Sequence, residues 1–237
     1  MKKVLVVGDS HAAALKHGVD AMQSELSMNF EFDFCAVGRR LGGFSSLKIV
    51  NERLIVPDRL FELEGKIIFF VDKNDFMLNE YDAVVLVCAG PGTAKISSPL
   101  SIMSYHCNES LLFSSALVKS IILNFKRYPE IVFDVLQVVP EKTIVVGSPP
   151  PGSNEPCVSS ILERYRNSDL SLLYEQILNC CAKINQPRLI LPPRCLLSDA
   201  FFQTRQEFMV PFDHFHGNHI YGLHIVKELI RMLAATS

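Results

Sequence analysis

The chain has no long apolar run, no run of basic residues, no Cys-x-x-Cys pair and no internal repeat. Each absence excludes something. No stretch approaches the ~18 consecutive apolar residues that a membrane-spanning helix requires, so no span is expected. The nearest basic clusters are the dipeptides Arg39-Arg40 and Lys126-Arg127, and the net charge is -2. With no stripe to neutralise phosphates, nucleic acid is not an expected partner. The seven cysteines (Cys35, Cys88, Cys107, Cys157, Cys180, Cys181 and Cys195) are odd in number. Cys35 and Cys88 lie inside apolar runs, so the set is read as reduced thiols in and near the core. That reading, with an opening apolar run too short for a secretory signal, leads us to expect a cytoplasmic protein. No metal and no cofactor is implied.

What is present is the composition of one globular domain. Apolar residues make up 49% of 237 and charged residues 20%, which favours a sizeable core over disorder. We expect a single domain over residues 1–237. Short β-rich runs alternate with helical patterns. Residues 3–7 read as a fully buried strand, followed by a helix carrying Leu15, Val19, Met22 and Leu26. Further strands are expected at 30–37, 82–88, 143–147 and 188–191, and helices at 109–127, from Pro129, at 169–184 and at 219–234. The last of these aligns Ile220, Leu223, Val226, Ile230 and Leu233 on one face. Residues 65–71 look like an extra strand, half of a hairpin inserted near the site. Alternating strands and helices imply βαβ units around a parallel sheet, with ligands beyond the carboxyl ends of the strands. Ser10, Gly38, Gly90 and Ser148 all follow strands and should share that rim.

Two short motifs lie far apart. Val4-Leu5-Val6-Val7 runs into Gly8-Asp9-Ser10-His11, and Asp213-His214-Phe215-His216 precedes the last helix. Serine is a weak nucleophile at neutral pH. It needs a neighbouring base to take its proton, and the base needs a partner to orient it. The two motifs supply all three groups if the fold brings them together. Alone, Gly-Asp-Ser is a common strand-to-helix turn in which Ser or Asp caps the helix. The joint placement favours chemistry, with Asp9 holding backbone near the turn.

Gly-Asp-Ser after a first strand, with Asp-x-x-His before a last helix, resembles the SGNH (GDSL-type) hydrolase family. The resemblance implies a flavodoxin-like three-layer α/β/α fold. It would have a central, mostly parallel five-stranded sheet, with a small inserted β element in this chain. The implied activity is a serine-dependent ester hydrolase, an acyl esterase or O-deacetylase whose substrate could be a small ester or an acylated sugar. Ser10 matches the nucleophile, His216 the general base and Asp213 its orienting residue. Ser10 and Gly38 match the oxyanion donors, with Gly42 and Gly43 as fallbacks. The third block departs from the pattern: Gly90-Pro91-Gly92 stands where the family has Gly-x-Asn. Gly90 then remains as a donor, the Asn amide is missing, and Asn108, His106 or Asn154 are candidates to replace it. His11 stands in place of the commoner Leu, lining the pocket or packing at the helix start.

Three other readings compete. An O-acyltransferase on a saccharide acceptor would use the same triad, differing only in what attacks the acyl-serine. A non-catalytic descendant would bind such a ligand. A metallophosphoesterase would use Asp9-x-His11 and Gly217-Asn218-His219, but the intervening Gly-Asp-x-x-Asp is missing and Ile220 replaces the expected acid.

Overall fold

The structure is a computed structural model that describes residues 1–26, 28–38, 46–63, 68–87, 130–147, 149, 152, 188–198, 204–213 and 216–235. In chain order the elements that matter begin with β1 (Lys2–Gly8), α1 (Ala12–Ala21), α2 (Gln23–Leu26) and β2 (Phe30–Val37). Then come β3 (Lys48–Val50), β4 (Arg53–Ile55), β5 (Ile68–Val71), β6 (Asp75–Met77) and β7 (Ala83–Val87). The rest are α3 (Glu130–Val138), β8 (Thr143–Val146), β9 (Arg188–Ile190) and α4 (His219–Ala234). The helices expected at 109–127 and 169–184 lie outside the described residues, as do Gly42, Gly43, Gly90, Gly92, His106, Asn108, Ser148 and Asn154. No helix among the described residues is long and apolar enough to cross a membrane.

The main sheet runs β5-β2-β1-β7-β8-β9. Its five parallel strands stand in the spatial order second, first, third, fourth, fifth, which is the flavodoxin-like doubly wound arrangement. In such sheets the chain leaves β1 in opposite directions toward its two neighbours, and a crevice opens between their carboxyl ends. The α/β expectation is met, and the strand ranges agree within a residue or so.

β1 explains the layering. Val4, Leu5, Val6 and Val7 are all fully buried, because both faces of a parallel strand are covered. Leu5 and Val7 face a core with Ile131 and Val135 of α3 and with Leu54 and Phe76 of the inserted β element. Val4 and Val6 face the other core, with Leu15 of α1 and Ile225, Val226 and Leu229 of α4. Cys35 belongs to the first core, where burial, with the Asp72 carboxylate adding, pushes its thiol well above the ordinary range. Cys195 departs from the expected pattern. It is exposed, with Sγ 3.9 Å from His224 Nδ1.

Residues 65–71 correct a detail. The strand there, β5, does not pair within the inserted element; it is the antiparallel edge of the main sheet beside β2. The insertion is a separate three-stranded sheet, β3-β4-β6. Its β3–β4 turn places Asn51 and Glu52 at φ of 50° and 62°, the paired positive values of a type I′ hairpin.

The packing of α1 on α4 sets up the site. Gly18 and Gly222 lie where the two helices touch, and a Cβ built on Gly222 would fall 1.6 Å from the Ala14 carbonyl oxygen. This approach turns the Gly222 side of α4 inward, so Tyr221, Ile225, Val226, Leu229 and Leu233 are buried while Ile220 is 38% exposed. Of the expected stripe, Val226 and Leu233 are buried, Leu223 and Ile230 pack against the core, and Ile220 falls outside it. α4 also runs the full depth of the sheet. Its 16 residues span about 24 Å, and the 7 of β1 about 23 Å. Lys2 Nζ donates to Leu233 O at 2.6 Å at one end. The other end brings the start of α4 to the carboxyl end of β1.

Candidate active site

Ser10 lies in the turn between β1 and α1. Ala12 N–H donates to Asp9 O at 2.9 Å and Ala13 N–H to Ser10 O at 3.2 Å, so the chain enters the helix at once. The Asp9 carboxylate, 3% exposed, accepts the His11 backbone N–H at 3.1 Å. That bond is the one expected of a turn-holding residue. It stiffens the segment from which the Ser10 hydroxyl projects.

His216 and Asp213 come from a short loop ahead of α4. Met209 and Gly217 form an antiparallel bridge, Val210 N–H donates to His216 O at 2.9 Å, and Asp213 N–H donates to Val210 O at 3.0 Å. Asn218 clamps this loop to the helix. Its Oδ1 accepts the N–H groups of Ile220 and Tyr221 at 2.9 and 3.1 Å, while its Nδ2 donates to Glu207 O and Met209 O at 2.7 and 3.1 Å. One side chain thus caps α4 and ties down the segment leading to the loop. The sequence reading did not give Asn218 this part, although an Asn immediately before a helical pattern is an N-cap signal. Asn218→Ala is expected to lower stability by about 1–2 kcal/mol, read from urea unfolding. Asn218→Asp should recover the cap share but not the two donated bonds.

The structure brings the three residues into one line. Ser10 Oγ lies 2.7 Å from His216 Nε2, and His216 Nδ1 lies 2.6 Å from Asp213 Oδ2. Asp213 Oδ1 also accepts the His216 backbone N–H at 3.0 Å, so the carboxylate grips both the ring and the backbone of one residue. An ionised carboxylate can only accept hydrogen bonds. Nδ1 therefore carries the hydrogen toward Asp213, and the Nε2 lone pair is left facing the serine hydroxyl. The side chains of His216 and Asp213 are 34% and 32% exposed, open enough for a ligand to reach them.

Two further residues belong to this end of the sheet. The His11 ring packs beside that of His216, with centroids 4.7 Å apart and planes tilted by 32°. Gly38 is buried just beyond β2. β1 and β2 run parallel with Gly8 opposite Ala36, so Gly38 follows β2 at the carboxyl end of the sheet, where the turn carrying Ser10 follows β1. The residues of the metallophosphoesterase pattern are disposed otherwise. Asp9 is turned onto backbone and His219 is exposed in the first turn of α4. Among the described residues, no three or more His, Cys, Asp and Glu side chains converge on a point that could hold a metal ion.

The fold and this line of hydrogen bonds define a doubly wound α/β protein with a Ser–His–Asp arrangement at the carboxyl end of its first strand. No protein-family model matches the chain, and no curated protein sequence does. Solved structures do resemble it. One is a GDSL-like lipase from Bacteroides thetaiotaomicron, 12% identical over 100% of this chain and 89% of that one, with a TM-score of 0.46. Another is the periplasmic domain of a lipopolysaccharide acetyltransferase from Salmonella ser. Paratyphi A, 14% identical over 99% and 84%, with a TM-score of 0.48. An extracellular lipase from Streptomyces rimosus is 12% identical over 96% and 99%, also with a TM-score of 0.48. The likeness is one of overall fold.

Proposed function

We propose that this protein is a serine-dependent ester hydrolase, an acyl esterase or O-deacetylase in which Ser10 is the nucleophile, His216 the general base and Asp213 its orienting partner. An acylated sugar or another small ester is the substrate class. The observation that carries this reading is the unbroken run of hydrogen bonds from Ser10 Oγ through both nitrogens of His216 to Asp213.

Ser10 Oγ attacks the ester carbonyl as His216 Nε2 takes its proton, and a C–O bond forms to give a tetrahedral oxyanion. The imidazolium is stabilised by Asp213, which stays ionised. Collapse breaks the bond to the alcohol, and Nε2 returns its proton to the departing oxygen. Water then repeats the sequence on the acyl-serine, releasing the acid and the serine hydroxyl. The oxyanion is met by backbone N–H groups of Ser10, at the amino end of α1, and of Gly38. Such donors act on charge that develops only in the transition state, and one of them is typically worth ~10²–10³ in turnover.

Treatment with a fluorophosphonate, followed by peptide mass spectrometry, tests the reading directly. A covalent adduct on Ser10 is expected, with its formation suppressed in His216→Ala. An unlabelled Ser10, or ester hydrolysis that needs added divalent metal and survives Ser10→Ala, would overturn it.

A further inference from the structure

Val210, Pro211, Phe212 and Asp213 form a four-residue turn closed by the bond from Asp213 N–H to Val210 O at 3.0 Å. Pro211 occupies its second position, and Phe212 occupies the third with φ of 62°. Proline followed by a positive φ marks a type II turn, whose third position is ordinarily Gly or Asn. A Cβ in that conformation crowds the neighbouring carbonyl oxygen. Phe212 nevertheless places a ring there, and the ring is 100% exposed. Val210 beside it is 37% exposed. Backbone preference and apolar hydration therefore both work against phenylalanine at this position in the free protein. Strained residues of this kind collect at functional sites, and Phe212 adjoins Asp213.

The bonds that close the loop hold Phe212 at a fixed offset from His216. The proposed serine chemistry, on which the next step rests, then gives the ring a direction of use. His216 Nε2 must hand a proton to the departing alcohol oxygen, so the alcohol half of the ester lies beside His216. That is the side of the site carrying Asp213, which holds the His216 ring, and, next to Asp213 in the Val210–Asp213 turn, Phe212. We infer that Phe212 is a specificity-determining residue that packs against the alcohol half of the ester and favours a leaving group with a flat apolar face. An aryl ring and the C–H face of a pyranose both have this chemistry. The ring loses its exposure only when substrate is bound, which offsets the strain it carries in the free protein.

Phenyl acetate and ethyl acetate test this, because they form the same acetyl-serine and differ only in the alcohol. Phe212→Gly is expected to lower kcat/KM for phenyl acetate about tenfold and to leave ethyl acetate within about twofold. Phe212→Tyr should keep the preference. The melting temperature of Phe212→Gly should rise by about 2–4 °C as the positive φ passes to glycine. Equal loss on both esters would assign Phe212 to holding Asp213 and His216 in place and overturn the inference, as would no loss on either. Ser10→Ala is run alongside. Wild-type rates in that variant, or a wild type silent on both esters, would overturn the serine reading itself. An inactive Ser10→Ala with an indifferent Phe212→Gly would overturn the inference alone.

Discussion

Ser10→Ala and His216→Ala are each expected to cut turnover of a short-chain aryl acetate by ~10⁵–10⁶, with little further loss when the two are combined. The geometry requires this non-additivity. With Oγ removed, His216 Nε2 has no proton to take, and with the imidazole removed Ser10 keeps its proton at neutral pH. Asp213→Asn should retain more activity, falling by about 10⁴. Asp213 Oδ1 bonds the His216 backbone at 3.0 Å and Oδ2 bonds Nδ1 at 2.6 Å. An amide can keep the first contact, but its NH₂ cannot accept from Nδ1, so the imidazole loses its tautomer more than its position. Steady-state kinetics on the two single variants, the double variant and the amide variant check all of this. A double variant far below both singles would mean that the residues act separately.

Gly222→Ala is expected to destabilise the protein by about 3 kcal/mol or more, although helix propensity alone predicts a gain of ~1 kcal/mol for replacing an interior glycine. The two effects are not comparable here. The added Cβ would meet the Ala14 carbonyl oxygen at 1.6 Å, and backbone cannot swing aside as a side chain can. α1 and α4 must separate, and overpacking of this kind exceeds any helical gain. The melting temperature should fall by about 6–12 °C. Separation also draws His216 away from Ser10, so activity per folded molecule should drop with it. Thermal unfolding and active-site titration on the same sample read both. A variant as stable as the parent would mean that the helices are not held by this contact.

The sequence made some of this legible, and the limits were physical. β1 could be found because four consecutive apolar residues bounded by glycine have few other uses. α4 could be found because its apolar residues recur at helical period from Ile220 to Leu233. Ser10, Asp213 and His216 could be singled out because nucleophile, base and orienting acid are distinctive residue types at a distinctive spacing. Pairing partners were another matter. The residues of β5 say that they favour a strand, but nothing in Ile68–Val71 says that the partner is β2 and the direction antiparallel. The apolar period of α4 finds Val226 and Leu233 in the core and Leu223 and Ile230 beside it, but it also takes in Ile220, which is exposed. In the protein the inward face is set by Gly222, whose lack of a side chain contributes nothing to a hydrophobic pattern. Phe212 was passed over for a related reason: its conformation belongs to the turn, and composition does not record a dihedral angle.

Ser10 and His216 meet across a separation of 206 residues, and this has a consequence for the order of events during folding. β1 and α1 form early in the chain, but the Gly18 side of α1 packs on Gly222 and Leu223 of α4, far along the chain. Contacts of such range are entropically expensive to close and tend to form late. During refolding, helix and strand signals should therefore return before catalysis does. The lag between them times the docking of the last helix, and a chain stalled before that step would be structured yet chemically inert.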